Sequence, residues 1–384
     1  MTIAAPPGPA VALTATRSAA PPRPSSACRF YTRRVRRHSS RALGRTPSGT
    51  IDHSVRVEPE IEAWFARRTW SVPSWTVDAL VAARRGRTVS VVLPALDEEA
   101  TVGAVVAAVT PWLGTLVDEV VVVDSGSTDA TAARARAAGA RVVTREEALP
   151  GVAVVGGKGE VLWRALAATS GDVVVFLDAD LVDTDAAFVP SLLGPLLTVD
   201  GVELVKGFYH RPLRFSDADA ALTGGGRVTE LVARPALASI RPALAGVVQP
   251  LGGEYAGTRA LLESLPFAAG YGVEIGLLLD TEATRGLDAL AQVDLGVRKH
   301  RHRSLRALGV TAAEVLDAAL RRARPAVPTG QEGSLVQFVR GGDGWVPDEH
   351  PVATLDRPPM ASLRARRGTG GEPGVPRSVP WAVR

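Results

Sequence analysis

Short runs of aliphatic residues alternate with segments of helical period through the middle of the chain. Val89-Ser-Val-Val-Leu-Pro94 reads as a short apolar strand. Between Glu98 and Val109, the residues Val102, Val105, Val106 and Val109 fall on one helical face, and Pro111 follows. Glu119-Val-Val-Val-Val-Asp124 is a second strand, apolar on both sides. Ser125-Gly-Ser-Thr-Asp129 then turns into an Ala/Arg helix. Arg141–Thr144 is a third strand, a helix runs around Val161–Ala168, and Val173–Leu177 is a fourth strand. Valine runs that alternate with helices predict a parallel sheet covered on both faces. Later segments are longer and less regular. Thr311-Ala-Ala-Glu314 has the spacing of a capping box and predicts the start of a final helix.

Composition and charge set the boundaries. Residues 1–50 hold nine Arg and no acid, and residues 351–384 hold six Arg against two acids. The net charge of +4 therefore leaves residues 51–350 at −9. The basic character belongs to the ends, and the acidic middle is a poor nucleic-acid surface. Residues 1–52 read as a disordered Arg/Ala/Pro-rich tail, with a transit-peptide-like composition or simply as an extension. Residues 345–384, rich in Pro, Gly and Arg, read as a flexible tail. Between them lie 53–215, which holds the regular strand–helix alternation, and 216–344, which is less regular and ends in helices. The single cysteine, Cys28, excludes a disulfide framework or a cysteine zinc site. No apolar stretch is long enough to span a bilayer, and prolines interrupt any secretory h-region. The expectation is a cytoplasmic protein.

The candidate chemistry lies at the strand ends, where open α/β sheets bind their ligands. Three strands end in polar signals: Pro94-Ala-Leu-Asp-Glu-Glu99, Asp124-Ser-Gly-Ser-Thr-Asp129 and Asp178-Ala-Asp180. Residues i and i+2 of an extended segment point to one side, so Asp178 and Asp180 offer two hard oxygens to one site. Mg²⁺ or Mn²⁺ suits such ligands and keeps substrate phosphates in its shell. The bland reading of Asp-x-Asp is a solvated turn. Asp124 and its loop suit a base or ribose, or equally a capped helix start. Gly156-Gly-Lys158-Gly159 could bring a cation to a phosphate or sugar. Glu160 follows Gly159, so the segment is no P-loop, and no G-x-G-x-x-G follows the first strand. Gly224-Gly-Gly-Arg-Val-Thr-Glu230 combines a glycine run with Arg227 and Thr229, an anion cradle or a mobile loop. Arg298-Lys-His-Arg-His-Arg303 is a basic hexamer that could face a diphosphate, ligate a metal or sit in solvent.

The chain resembles the actinobacterial glucosyl-3-phosphoglycerate synthases, retaining glycosyltransferases of the GT-A type. The resemblance covers roughly 60–345 and rests on several stretches. V-S-V-V-L-P-A-L-D-E-E, V-V-V-D-S-G-S-T-D and F-L-D-A-D are shared widely in the class. G-K-G-E, K-G-F-Y-x-R, G-G-G-R-V-T-E-L-V-A-R-P, Q-P-L-G-G-E-Y-A-G, G-Y-G-V-E-I-G-L-L-L-D and L-G-V-R-K-H-R-H-R complete the match. The triple-glycine, E-Y-A and G-Y-G-V-E-I stretches are the more specific.

Carried onto this chain, the resemblance implies an α/β GT-A fold with a mostly parallel central sheet, in which 53–215 is the nucleotide-sugar-binding part and 216–344 a smaller acceptor-binding part with C-terminal helices. It implies that Pro94, Ala95, Leu96 and Glu98 hold uracil and ribose, with Ser125 also on the nucleotide. Lys158 and Asp178 contact the nucleotide-sugar, and Asp180 and His300 hold the divalent metal. Glu274, with Tyr271 near it, faces the glucose. Gly226, Arg227, Thr229 and Arg298 take the phosphoglycerate. Asp180, Glu274 and Lys158 are the expected catalytic groups. Two positions depart from the family pattern: Asp97 replaces an Asn, and His302 stands where Asn is usual, which leaves His302 open beside His300 as the metal ligand. The implied reaction moves glucose from UDP-glucose to the 2-hydroxyl of D-3-phosphoglycerate, with Mg²⁺ or Mn²⁺, in a homodimer that serves methylglucose lipopolysaccharide biosynthesis. The rivals are a mannosyl-3-phosphoglycerate synthase or transferase with another acceptor, a sugar-phosphate nucleotidyltransferase, and an RNA binder that uses the Arg-rich tails.

Overall fold

The computed structural model describes residues 59–71, 73–182, 184–210, 226–297, 305–323, 333–341, 344–352 and 355–368. The expected tail at 1–52, together with Arg298, His300 and His302, lies outside them. The strands are β1 (Thr69–Trp70), β2 (Val89–Ala95), β3 (Glu119–Asp124), β4 (Arg141–Thr144), β5 (Val173–Phe176), β6 (Leu204–His210), β7 (Tyr255–Thr258), β8 (Phe267–Ala268), β9 (Leu290–Val297), β10 (Gly333–Gly341), β11 (Gly344–Val352) and β12 (Asp356–Arg357). The helices are α1 (Pro59–Arg68), α2 (Val77–Arg84), α3 (Val102–Val109), α4 (Thr131–Ala137), α5 (Arg145–Ala148), α6 (Lys158–Ala168), α7 (Phe188–Thr198), α8 (Arg234–Ile240), α9 (Arg259–Ser264), α10 (Val273–Arg285), α11 (Leu305–Ala323) and α12 (Met360–Gly368).

Eight strands form the central sheet, in the order β1-β9-β6-β7-β5-β2-β3-β4. All neighbours are parallel except β7, which runs antiparallel to both β5 and β6. The mostly parallel sheet expected from the valine runs is therefore present. Alternate side chains feed opposite faces, as the strand period requires. Val92, Val121, Val123, Val174 and Phe176 enter one core. Val91, Leu93, Val120, Val122, Val173 and Val175 enter the other. Each fully buried valine contributes about 1.5 kcal/mol or more, so these runs have no stable alternative in solvent.

Strands from both sides of residue 215 share this sheet, so the two expected parts are interleaved. β7 of the later part separates β5 from β6 of the earlier one. Trp64 of α1 is buried and donates its indole N–H to the Leu287 and Leu290 carbonyls at 3.0 and 3.2 Å, which ties the start of the chain to β9.

Two expectations need correction. The final long helix starts at Leu305, not at Thr311, and Thr311 lies inside it with its hydroxyl directed at the Ala307 carbonyl. The 3.6-residue period of Leu308, Ala312, Val315 and Ala319 carries the helix through the capping-like tetrad. Residues 345–368, within the expected flexible tail at 345–384, supply all but the first residue of β11, together with β12 and α12. Arg-rich composition hid the apolar anchor Met360, which is fully buried.

Candidate active site

The loops that follow β2 and β3 are stitched together. Ser125 donates its backbone N–H to the Ala95 carbonyl at 2.8 Å. Asp97 N–H donates to the Ser127 hydroxyl at 3.0 Å, and Thr128 N–H donates back to the Asp97 carboxylate at 2.8 Å. Glu98 N–H reaches the Thr131 hydroxyl at 2.7 Å. Asp124 accepts both the N–H and the hydroxyl of Ser127, at 3.0 and 2.6 Å. Its carboxylate thus closes its own turn and does not cap α4, whose N-cap position, Ala130, makes no side-chain cap bond. Pro94, Ala95, Leu96 and Glu98 are held beside Ser125 by this lacing. Leu96 is 54% exposed on a rigid loop, a suitable surface for a planar base.

Beside these loops lies a cluster of charges. The helix α6 begins at Lys158, whose ammonium lies 2.6 Å from Asp178 Oδ1 and 2.8 Å from Glu274 Oε1. Asp178 follows β5, and Glu274 sits in the first turn of α10. Burial opposes the lysine charge, but Asp178 and Glu274 outweigh it and push the Lys158 pKa well above the usual lysine value. It remains a cation at any working pH. The Gly-Lys-Gly segment is built for close approach. A β-carbon on Gly159 would stand 1.7 Å from the Ala268 carbonyl oxygen. That contact lets Gly159 and Glu160 donate their N–H groups to the Gly270 and Ala269 carbonyls, at 3.2 and 2.9 Å. Tyr271 then follows, half-buried, its N–H donating to the Glu314 carboxylate of α11 at 2.7 Å.

The sequence reading gave no role to three further members of this cluster. Lys206 on β6 is buried, donates to the Gly252 carbonyl at 2.5 Å, and lies 4.4 Å from the centre of the Tyr255 ring. Burial drives its pKa down to about 8. Attraction to Glu274 opposes that fall, and repulsion from Lys158 adds to it. Tyr255 is buried opposite Lys206 in the β6–β7 register, and burial together with Glu274 raises its hydroxyl pKa well above normal. Glu254 is fully buried next to it. A lysine inside the apolar run Leu204–Phe208, and a glutamate directly after two glycines, were the available signals.

Of the residues expected to take the acceptor, Gly226 is half-buried, Arg227 is exposed and Thr229 is buried at the start of a π-helical turn, Thr229–Ala233. Such turns are frequent at functional sites. This turn and the Tyr271–Glu274 segment both pack against α11, so one helix borders both expected substrate groups. Arg298 lies outside the described residues.

Asp180 is half-buried, two residues beyond Asp178. Among the described residues, no three His, Cys, Asp or Glu side chains converge on a metal-sized site. A divalent ion shared with a diphosphate takes most of its oxygens from phosphates and water. One hard carboxylate at a strand end therefore fits it, and Asp180 provides one, whereas Asp178 is already held by Lys158.

The parallel sheet with its nucleotide loops and Asp-x-Asp at the strand ends defines a GT-A glycosyltransferase. Residues 90–220 match the family model described as glycosyl transferase family 2. The chain is 60% identical over 303 residues to glucosyl-3-phosphoglycerate synthase of Mycolicibacterium smegmatis, covering 79% of this chain and 99% of that protein. It also superposes, with a TM-score of 0.70 and 55% identity, on crystal structures of the Mycobacterium tuberculosis glucosyl-3-phosphoglycerate synthase. One of these holds Mn²⁺, UDP-glucose and phosphoglyceric acid, and covers 77% of this chain and 98% of its own. Another holds Mg²⁺ and UDP, and covers 77% and 99%. The chain belongs to the glucosyl-3-phosphoglycerate synthase family.

Proposed function

We propose that this enzyme transfers glucose from UDP-glucose to the 2-hydroxyl of D-3-phosphoglycerate, with retention at the anomeric carbon and with a divalent cation, Mg²⁺ or Mn²⁺. The observation that carries the reading is Lys158 held between Asp178 and Glu274 beside the two laced loops, in a chain so similar to enzymes of that name. In the reaction, the bond from the glucose anomeric carbon to the diphosphate breaks, and a bond to the acceptor oxygen forms on the same face. The acceptor proton passes to the departing diphosphate. A divalent cation held at Asp180 would supply charge neutralisation of that leaving group.

The chain's own share is positioning and fixed charge. Pro94, Ala95, Leu96, Glu98 and Ser125 hold the nucleoside. Lys158 sets Asp178 and Glu274 toward the sugar, with Tyr271 beside them. Asp180, with His300, holds the cation. Arg227, with Gly226, Thr229 and Arg298, meets the phosphate and carboxylate of the acceptor, where a guanidinium fork suits both anions. The same reading takes the enzyme as a cytoplasmic homodimer that serves methylglucose lipopolysaccharide biosynthesis. No described helix is long and apolar enough to cross a membrane.

Purified enzyme mixed with Mg²⁺, D-3-phosphoglycerate and UDP-glucose should give a phosphorylated glucoside by mass, and EDTA should abolish it. Equal or better product from GDP-mannose, or no product from UDP-glucose, would overturn the reading.

A further inference from the structure

The segment from Leu355 to Arg364 straps the back of the lysine–carboxylate cluster. The strand β12 pairs antiparallel with β8, Asp356 opposite Ala268 and Arg357 opposite Phe267. Ala269 donates its N–H to the Leu355 carbonyl at 3.0 Å. Ala269 and Gly270 accept in turn from the first turn of α6, so residues 267–270 are gripped from two directions. Arg357 spans the grip. Its Nε and Nη2 donate to the two carboxylate oxygens of Glu160 at 2.5 and 2.9 Å, and Nη2 also donates to the Ala153 carbonyl at 2.6 Å. The guanidinium lies 5.0 Å from the Trp163 ring centre, and the Trp163 indole N–H donates to the Pro358 carbonyl at 2.9 Å. Glu160 is fully buried and also pairs with Arg164 at 2.6 Å.

Further contacts hold the strap itself. Arg321 of α11 pairs with Asp356 at 3.1 Å. Arg322 pairs with Asp280 of α10 at 2.7 Å, on the same helix that carries Glu274. Arg364 pairs with Glu263 at 3.0 Å. A fork-to-fork guanidinium–carboxylate pair on a buried glutamate fixes direction as well as distance. Lys158 lies two residues before that glutamate.

We infer that Arg357 is a positioning residue for the transfer reaction: through Glu160 it fixes the first turn of α6, and with it the place of Lys158 between Asp178 and Glu274. The inference rests on Lys158 serving the donor site. Full-length Arg357→Ala is expected to lose kcat/KM for UDP-glucose on the order of 10- to 100-fold, the scale of a small misplacement at a reacting centre. KM for phosphoglycerate should stay as in the wild type. Added guanidinium ion, at a concentration that leaves the wild type unaffected, should restore part of the loss. Arg357→Lys, which keeps the charge but not the fork, should fall between the two and carries the same test if the alanine variant does not fold.

A folded variant with wild-type kinetics would overturn the inference. So would a loss that affects both substrates equally and is not rescued by guanidinium. A wild-type enzyme inactive on this substrate pair would instead overturn the proposed function. Binding of UDP-glucose, measured by calorimetry, would then read the same donor-site effect of Arg357→Ala: weakened binding supports the inference, and unchanged binding overturns it.

Discussion

Gly253 presses so closely on Asp178 that a β-carbon at residue 253 would stand 2.2 Å from the carboxylate oxygen. The carboxylate that faces Lys158 is thus backed by bare backbone. Gly253→Ala must push Asp178 away from Lys158 or shift the 252–254 turn. A loss of about 100-fold in kcat/KM for UDP-glucose is expected, since displacement by an ångström at a reacting centre costs that much. Steady-state kinetics on folded protein check it, and kinetics unchanged from wild type would show that the turn yields freely.

Lys158 separates two carboxylates, and its removal sets them against each other. Lys158→Met should destabilise the enzyme by about 3 kcal/mol, the low end for stripping one partner from a buried pair. It should also raise KM for UDP-glucose, because Asp178 and Glu274, proposed above to face the sugar, lose their common anchor. Urea unfolding and donor titration measure the two effects separately.

Lys206 makes stability depend on pH in an uncommon direction. Its folded pKa is about 8, against 10.5 for an ordinary lysine. Between these values the unfolded chain binds more protons, so unfolding free energy rises with pH. Below pH 8 both states carry the proton, and the cost of burying the charge is present in full. Relative to Lys206→Met, the wild type should therefore gain about 2–3 kcal/mol from pH 7 to pH 10. Urea unfolding of metal-free, nucleotide-free protein across that range tests it. A wild-type-minus-variant difference that does not move with pH would refute the assignment.

Asp97 adopts a left-handed backbone, φ +54°, and accepts the Thr128 N–H. Asn offers the same oxygen and the same tolerance of that backbone, so Asp97→Asn should leave KM for UDP-glucose and the preference for the uracil base unchanged. Asp97→Val loses the acceptor and adds about 1–2 kcal/mol of backbone strain. It should unlace the loop and weaken UDP binding, which calorimetry with UDP would show.

Much of this site follows from local pattern. The Val runs at 89–93, 119–124 and 173–176 had to be buried strands, and the polar residues after them had to meet at one edge. Asp178, Asp180 and the two loops were legible for that reason, whereas Lys158, at the start of α6, stood out by its glycine-flanked setting and by the resemblance. Lys206, Glu254 and Tyr255 were not, because their meeting depends on strands β6 and β7 pairing across some fifty residues. Helical period along one face outweighed the tetrad at Thr311–Glu314, whose glutamate holds the Tyr271 amide instead. The strap at 355–364 was hidden by its composition: arginines that read as a solvated tail are spent on Glu160, Glu263 and backbone carbonyls.

The place of β7 in the sheet also sets an order of events during synthesis. β2, β3, β4 and β5 can pair once residue 176 has emerged. β6 has no direct ladder to β5 and must wait for residues 255–258. β1 waits longer still, since Thr69 pairs with Gln292. Such distant pairings close large loops and are slow. Until they form, the wholly apolar edge Val173–Phe176 stands open, where another nascent chain can dock. The strand that brings Tyr255 to Lys206 is thus also the one that seals the half-built sheet against aggregation.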